Sequence, residues 1–189
     1  MSEDITKEEL EKIFRGIACN RSIKKLIFRY NSLFDGELFN IMLPFFKNNH
    51  NFECLELDGC HLEHECRLPF LSALAEFDSL KELNFFRCQI DNDDEARELI
   101  GALTGHSGLK KLVLSNVRIG RNGCAALTTL LQNPESKLAV LELESNDMSN
   151  TDAAVLATGL SGNSTLEKLN LSYNKDMTET GWRAIFTSL

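Results

Sequence analysis

Read only for apolar and polar positions, the chain repeats itself. Six segments carry apolar residues at their first, fourth and sixth positions: Ile23, Leu26 and Phe28; Phe52, Leu55 and Leu57; Leu80, Leu83 and Phe85; Leu109, Leu112 and Leu114; Leu138, Leu141 and Leu143; and Leu166, Leu169 and Leu171. Their starts lie 29, 28, 29, 29 and 28 residues apart. Three residues past the last apolar position stand Asn31, Cys60, Cys88, Val117, Asn146 and Asn174. Two further on come Leu33, Leu62, Ile90, Ile119 and Met148, while the sixth segment inserts one residue and places Met177 there. Alternation of this kind predicts a strand with one buried side. The second half of each unit switches to a spacing of four, in Ile41 and Phe45, Phe70 and Leu74, Leu99 and Leu103, Leu127 and Leu131, Leu156 and Leu160, and Ile185 and Leu189. That spacing puts both side chains on one helix face.

Taken together, the segments resemble the leucine-rich repeat, L-x-x-L-x-L-x-x-N/C-x-L. Units of 28 or 29 residues with a full helix resemble its ribonuclease-inhibitor-like class. The resemblance implies an α/β solenoid, a short horseshoe arc with a parallel inner β-sheet and outer α-helices. Six strands would make an inner sheet about 25 Å wide. The whole chain, 1–189, reads as one domain, with 1–22 an N-terminal capping helix and 23–189 the six repeats. Thr6 and Glu9 form a capping box that opens the first helix, with Leu10, Ile13, Phe14 and Ile17 on its apolar face. At the other end Leu189 stands at an apolar helix position with no polar cap after it. Terminal repeats need such a cap, so the chain is expected to be a monomer or part of a longer array, its C-terminal end uncapped unless Trp182 seals it.

Composition changes this picture little. With 43% hydrophobic and 25% charged residues the chain is ordinary globular material. Its 28 acidic against 20 basic residues give a formal charge of −8. That disfavours nucleic acid, whose phosphates are held by clustered Lys and Arg. No run approaches the roughly 18 apolar residues of a membrane span. Met1-Ser2-Glu3-Asp4 is acidic where a secretion signal is basic and then apolar. The expectation is a cytoplasmic protein with reduced thiols and neither nucleic-acid nor membrane partners.

Candidate chemistry is sparse. The run from Cys60 through His61 and His64 to Cys66 offers thiolate and imidazole, both zinc ligands. The repeat register instead gives Cys60 the inward Asn position and Cys66 a site that wants a small residue, as Gly123 and Gly181 show. Cys54 is expected on the open inner face. Sequons at Asn20, Asn163 and Asn170 are read as chance. Glu142 and Glu144 share a strand face about 7 Å apart, which a glycosidase pair would match, yet a solvated sheet face gives the same pattern. No catalytic residue, metal or cofactor is assigned, and the chain is read as a non-enzyme.

What remains is surface. Alternation leaves three residues of each strand on the concave side, followed by one more at its end. Phe86 is a large ring where the pattern requires nothing apolar; with Arg87, Tyr30 and Tyr173 it makes the aromatic and Arg mixture found at binding hot spots. Glu56, Asp58 and Glu82 cluster on neighbouring rungs, Glu142 and Glu144 lie further along, and Lys24, Lys25 and Arg29 make the first rung basic. A protein partner with basic groups opposite the second, third and fifth rungs would be complementary. Arg29, Tyr30, Glu56, Asp58, Glu82, Phe86, Arg87, Glu142, Glu144 and Tyr173 are therefore the candidate protein-binding residues. Ribonuclease-inhibitor-like repeats are typical of intracellular proteins that grip other proteins, which implies an interaction module. The same resemblance leaves two alternatives, a regulator of a small GTPase and a cytoskeletal capping module. Because Cys60, Cys88 and Val117 replace Asn, the loops of repeats two to four are expected to be held less firmly than those of one, five and six.

Overall fold

The computed structural model describes residues 7–29, 36–61, 64–77, 79–90 and 92–189. Strand and helix alternate where the two spacings place them. The strands are β1 (Lys25–Arg29), β2 (Cys54–Asp58), β3 (Glu82–Phe86), β4 (Lys111–Val113), β5 (Val140–Glu142) and β6 (Lys168–Asn170). The helices are α1 (Lys7–Ala18), α2 (Gly36–Asn48), α3 (His64–Ala75), α4 (Asp93–Ala102), α5 (Gly120–Gln132), α6 (Asn150–Leu160) and α7 (Glu179–Ser188). All six strands lie parallel in one sheet in chain order. Leu26, Leu55, Leu83, Leu112, Leu141 and Leu169 stand in register across it. One Leu per unit thus becomes a continuous row under the sheet, and successive helices pack side by side behind it. No helix among the described residues is long and apolar enough to cross a membrane.

The core changes character along the solenoid. In the first half it is aromatic: Phe45 meets Phe52 at 5.2 Å, Phe46 meets Phe77 at 5.3 Å and Phe70 meets Phe85 at 5.8 Å between ring centres. Edge-on and tilted contacts of this kind suit the ring quadrupole. Phe14 of α1 joins them, buried edge-on against Phe28. From repeat four onward Leu fills the same space, with Leu112, Leu127, Leu141 and Leu156 fully buried. There the helices come close. A Cβ on Gly159 would lie 2.6 Å from the Thr128 Cα of the neighbouring helix, so glycine permits the approach. Between α3 and α4 the joint is polar, where Arg67 is held by Glu95 and Glu98.

Loops are tied by a side-chain ladder that is offset by one repeat. Asn146 accepts from the N–H groups of Val117 and Ile119 (both 3.3 Å) and donates to Leu114 O at 2.7 Å. Asn174 does the same one unit on, accepting from Asn146 N and Met148 N and donating to Leu143 O. Each Asn therefore holds the loop of the repeat before its own. Cys88 and Cys60 imitate only the donor half, their thiols reaching Leu57 O at 3.4 Å and Phe28 O at 3.5 Å. The expectation that loop four is loose is thereby corrected: Val117 is a gap in its own unit, yet its N–H is satisfied by Asn146. The loop that lacks a side-chain amide because of Val117 is that of repeat three.

A second set of Asn residues turns α2, α5 and α6 back into the following strands. Asn49 donates to Asn20 O and Ile23 O, Asn133 to Thr104 O and Asn163 to Leu131 O. Asn163 and Asn170 both use their side-chain N–H in these folds, the latter toward Glu144 at 3.2 Å. Two helix-face expectations fail. Ile13 is half-exposed although Phe14 beside it is buried; among the described residues α1 packs against one helix, α2. Leu189 is exposed while Ile185 is buried, since α7 ends at Ser188. Next to it Trp182 and Phe186 stack at 5.9 Å. Thr6 and the Leu10 side chain lie outside the described residues.

Candidate protein-binding face

Parallel register sets the concave residues in rows. Lys25, Cys54, Glu82, Lys111, Val140 and Lys168 form one row, and Ile27, Glu56, Asn84, Val113, Glu142 and Asn170 the next. Arg29, Asp58 and Phe86 open the third. The backbone continues beyond β3, where Gly59 N donates to Phe86 O and Arg87 N to Ser115 O.

Most of the acidic residues on this face already hold a partner. Glu56 takes Lys25 and Arg29 from the adjacent strand, each at 3.0 Å. Burial pushes the Glu56 carboxyl up, but the hydrogen bonds from Arg29 and Lys25 outweigh it and leave the group below the usual carboxylate range. Glu142 pairs with Lys168 at 2.9 Å, and Glu144 accepts from the Asn170 side chain. Glu82 lies 3.8 Å from the Cys54 thiol. Asp58 has no salt bridge among the described residues, and its Oδ1 is buried without a hydrogen-bond partner. The face is thus a mosaic of internally paired charge in which Asp58 and Glu82 have no salt bridge to a cation among the described residues, and not a uniform acidic field.

Phe86 is half-buried at the third rung, and the Arg87 guanidinium sits 4.5 Å from its ring centre. Six of the candidates, Arg29, Glu56, Asp58, Glu82, Phe86 and Arg87, are brought together on the first three rungs. Glu142 and Glu144 are two rungs away and Tyr173 three, beyond Val113 and Ser115. Tyr30 lies outside the described residues. Three residues expected on the open face are closed over instead: Cys54, Val113 and Ser115 are all buried. A curved sheet crowds its concave side, so short side chains sink between longer neighbours. Burial first, with Glu82 and Glu56 adding to it against Lys25, raises the Cys54 thiol above its ordinary range. Thiolate chemistry is disfavoured there. Cys60 and Cys66 are buried in the core; Leu62, Glu63 and the His64 side chain lie outside the described residues.

Sequence reasoning missed the backbone just beyond β2, β3, β4, β5 and β6. Gly59, Arg87, Asn116, Ser145 and Tyr173 all have positive φ, between 54° and 63°. Gly59 and Asn116 were the available signal, since Gly and Asn tolerate this region best. Arg87 and Tyr173 do not, and Tyr173 is 68% exposed. Beside Arg87 runs a groove of about 480 Å³ lined by Gln89, Asn116, Val117 and Arg118, among others. A concavity of about 770 Å³ between α1 and α2 lies off the sheet face.

A parallel ladder of Leu-patterned strands, each followed by a loop tied through Asn or Cys and by an outer helix, defines a leucine-rich repeat protein, and this chain is one. Residues 162–186 match the family model described as Leucine Rich repeat. The chain is similar to Protein NLRC5 of Ictalurus punctatus, 31% identical over 136 residues, or 72% of this chain. It spans only 8% of the length of that relative. Among solved structures it resembles the tropomodulin C-terminal domain of Caenorhabditis elegans, with a TM-score of 0.54, 11% identity, and 99% of this chain and 92% of that one covered. That likeness is one of fold.

Proposed function

We propose that this chain is a non-catalytic interaction module that binds a protein partner on its concave face, around Phe86 and Arg87 and outward to Tyr173. The observation that carries the reading is the pair Arg87 and Tyr173. At the same column Gly59 adopts left-handed backbone without a Cβ penalty, whereas these two large side chains accept one. Strain of this kind, at exposed aromatic and Arg residues, favours recognition over packing. Arg29, Glu56, Asp58, Glu82, Glu142 and Glu144 form the charged surround, and Tyr30 is proposed with them from its sequence position. A partner presenting basic groups would meet the second, third and fifth rungs. The five buried free thiols suit a reducing intracellular compartment. The GTPase-regulator and capping alternatives rest on resemblance, and no feature of this face favours either.

Affinity capture with the chain as bait tests the reading. Phe86→Ala with Tyr173→Ala, matched to wild type in thermal melting, should lose the captured proteins. Unchanged capture by the double variant would reject the concave face. Glu56 is left intact because it holds Lys25 and Arg29.

A further inference from the structure

Three concave-face oxygens are buried without a hydrogen-bond partner: Asp58 Oδ1, Asn84 Oδ1 and Ser115 Oγ. Their residues occupy the positions next to Phe86 in the sheet. Asp58 stands opposite Phe86 in register, Asn84 precedes Phe86 on the same face, and Ser115 flanks it on the far side, where its carbonyl accepts from Arg87 N. Ser115 is 2% exposed. Buried acceptors of this kind are normally satisfied, and here no protein group among the described residues fills that capacity. Three other acidic residues of the face are already engaged, Glu56 by two cations, Glu142 by Lys168 and Glu144 by Asn170, and Glu82 is exposed to solvent. Phe86 adds the remaining element, because it already carries a guanidinium, that of Arg87, 4.5 Å from its ring centre. An aromatic face beside a carboxylate and an amide carbonyl suits a planar guanidinium, which stacks and donates in several directions at once, better than a compact ammonium.

Resting on the concave-face reading above, we propose that Asp58, Asn84 and Phe86 form a subsite for an arginine side chain of the protein partner. The incoming guanidinium donates to Asp58 Oδ1 and Asn84 Oδ1 and takes the place of Arg87 against the Phe86 ring. The Ser115 hydroxyl accepts a further N–H from the same segment.

NMR titration of the full chain with Nα-acetylarginine N-methylamide tests this, with the lysine analogue and sodium chloride at matched ionic strength as comparisons. The signals to follow are the Asn84 side-chain amide and the Phe86 ring. Saturable shifts are expected with the arginine amide, weakened about five-fold or more for the lysine analogue. Asp58→Asn should weaken binding by a similar factor, and Glu135→Gln, an exposed position in the loop after α5, should leave it unchanged. Shifts that never saturate, equal binding of the lysine analogue, or an Asp58→Asn chain that titrates like wild type would overturn the subsite. Should Asp58→Asn disturb the whole spectrum, Phe86→Leu gives the deciding readout: the preference for arginine over lysine must fall, and its persistence counts against the proposal. The two readings fail separately. Capture that survives Phe86→Ala with Tyr173→Ala removes the concave face as the docking site while amide binding stands. Lost capture with no amide binding removes the arginine subsite alone.

Discussion

Tyr173 and Glu56 show how single residues on the concave face set fold against function. Tyr173 sits at φ 59° with its ring largely in solvent. Left-handed backbone costs a residue with a Cβ about 1–2 kcal/mol, part of which a glycine gives back through its freer unfolded chain. Tyr173→Gly is therefore expected to stabilise the protein by about 0.5–1 kcal/mol, a rise in melting temperature readable by calorimetry, while weakening partner capture. A fall in melting temperature would mean that the ring packs in a way that matters to the fold. Glu56 works in the opposite direction. Its carboxyl is depressed in the fold by Arg29 and Lys25 despite burial, so the unfolded chain binds a proton more readily than the folded one. The stabilisation is complete above the ordinary carboxylate range and is lost as pH falls through the lower value of Glu56 itself. Glu56→Gln should flatten the acid limb of a stability-against-pH curve. An acid limb identical to wild type would show that the two ion pairs contribute nothing.

Between elements, Gly159 allows a close approach of helix to backbone. A Cβ there would meet the Thr128 backbone at 2.6 Å, and backbone cannot rotate away as a side chain can. Gly159→Ala should force α5 and α6 apart and cost about 1–3 kcal/mol, despite the better helix propensity of Ala. Urea denaturation measures it, and a stabilised variant would contradict the packing described. Asn146 is the corresponding tie between loops. Asn146→Val removes a donor to Leu114 O and the acceptor for Val117 N and Ile119 N, with an expected loss of about 3 kcal/mol. In the wild type the Val117 and Ile119 amides should exchange hydrogen more slowly than those of Cys88 and Ile90, whose loop has Val117 where its Asn would stand. Equal exchange in the two loops would show that the ladder is ornamental. Here sequence and structure part company for an identifiable reason. The period revealed that Asn, Cys and Val share a position, but a one-dimensional pattern does not say which repeat a side chain reaches into. Pairing each Asn with its own loop is the natural reading, and the fold shifts it by one.

At the scale of the whole molecule, spacing was enough for the architecture and not for the site. Leu26, Leu55 and Leu83 announced a strand ladder because burial on one side demands alternation, and Phe70 with Leu74 announced a helix for the equivalent reason. The candidate face was legible as a set of outward positions. What escaped was everything decided by curvature: Val113 and Ser115 closed over, Cys54 buried, and Glu56 consumed by two cations of the preceding rung. The solenoid has an aromatic first half and an amide-tied second half, with Phe86 at the end of the aromatic stretch. The offset ladder also gives the molecule a direction in time. A ribosome delivers repeats from the N-terminus, yet the loop of repeat four is completed by Asn146, and the N–H of Asn146 is completed in turn by Asn174, 28 residues later. Each of these repeats must wait for its successor to emerge before it can finish, so folding during synthesis trails the growing chain by one unit.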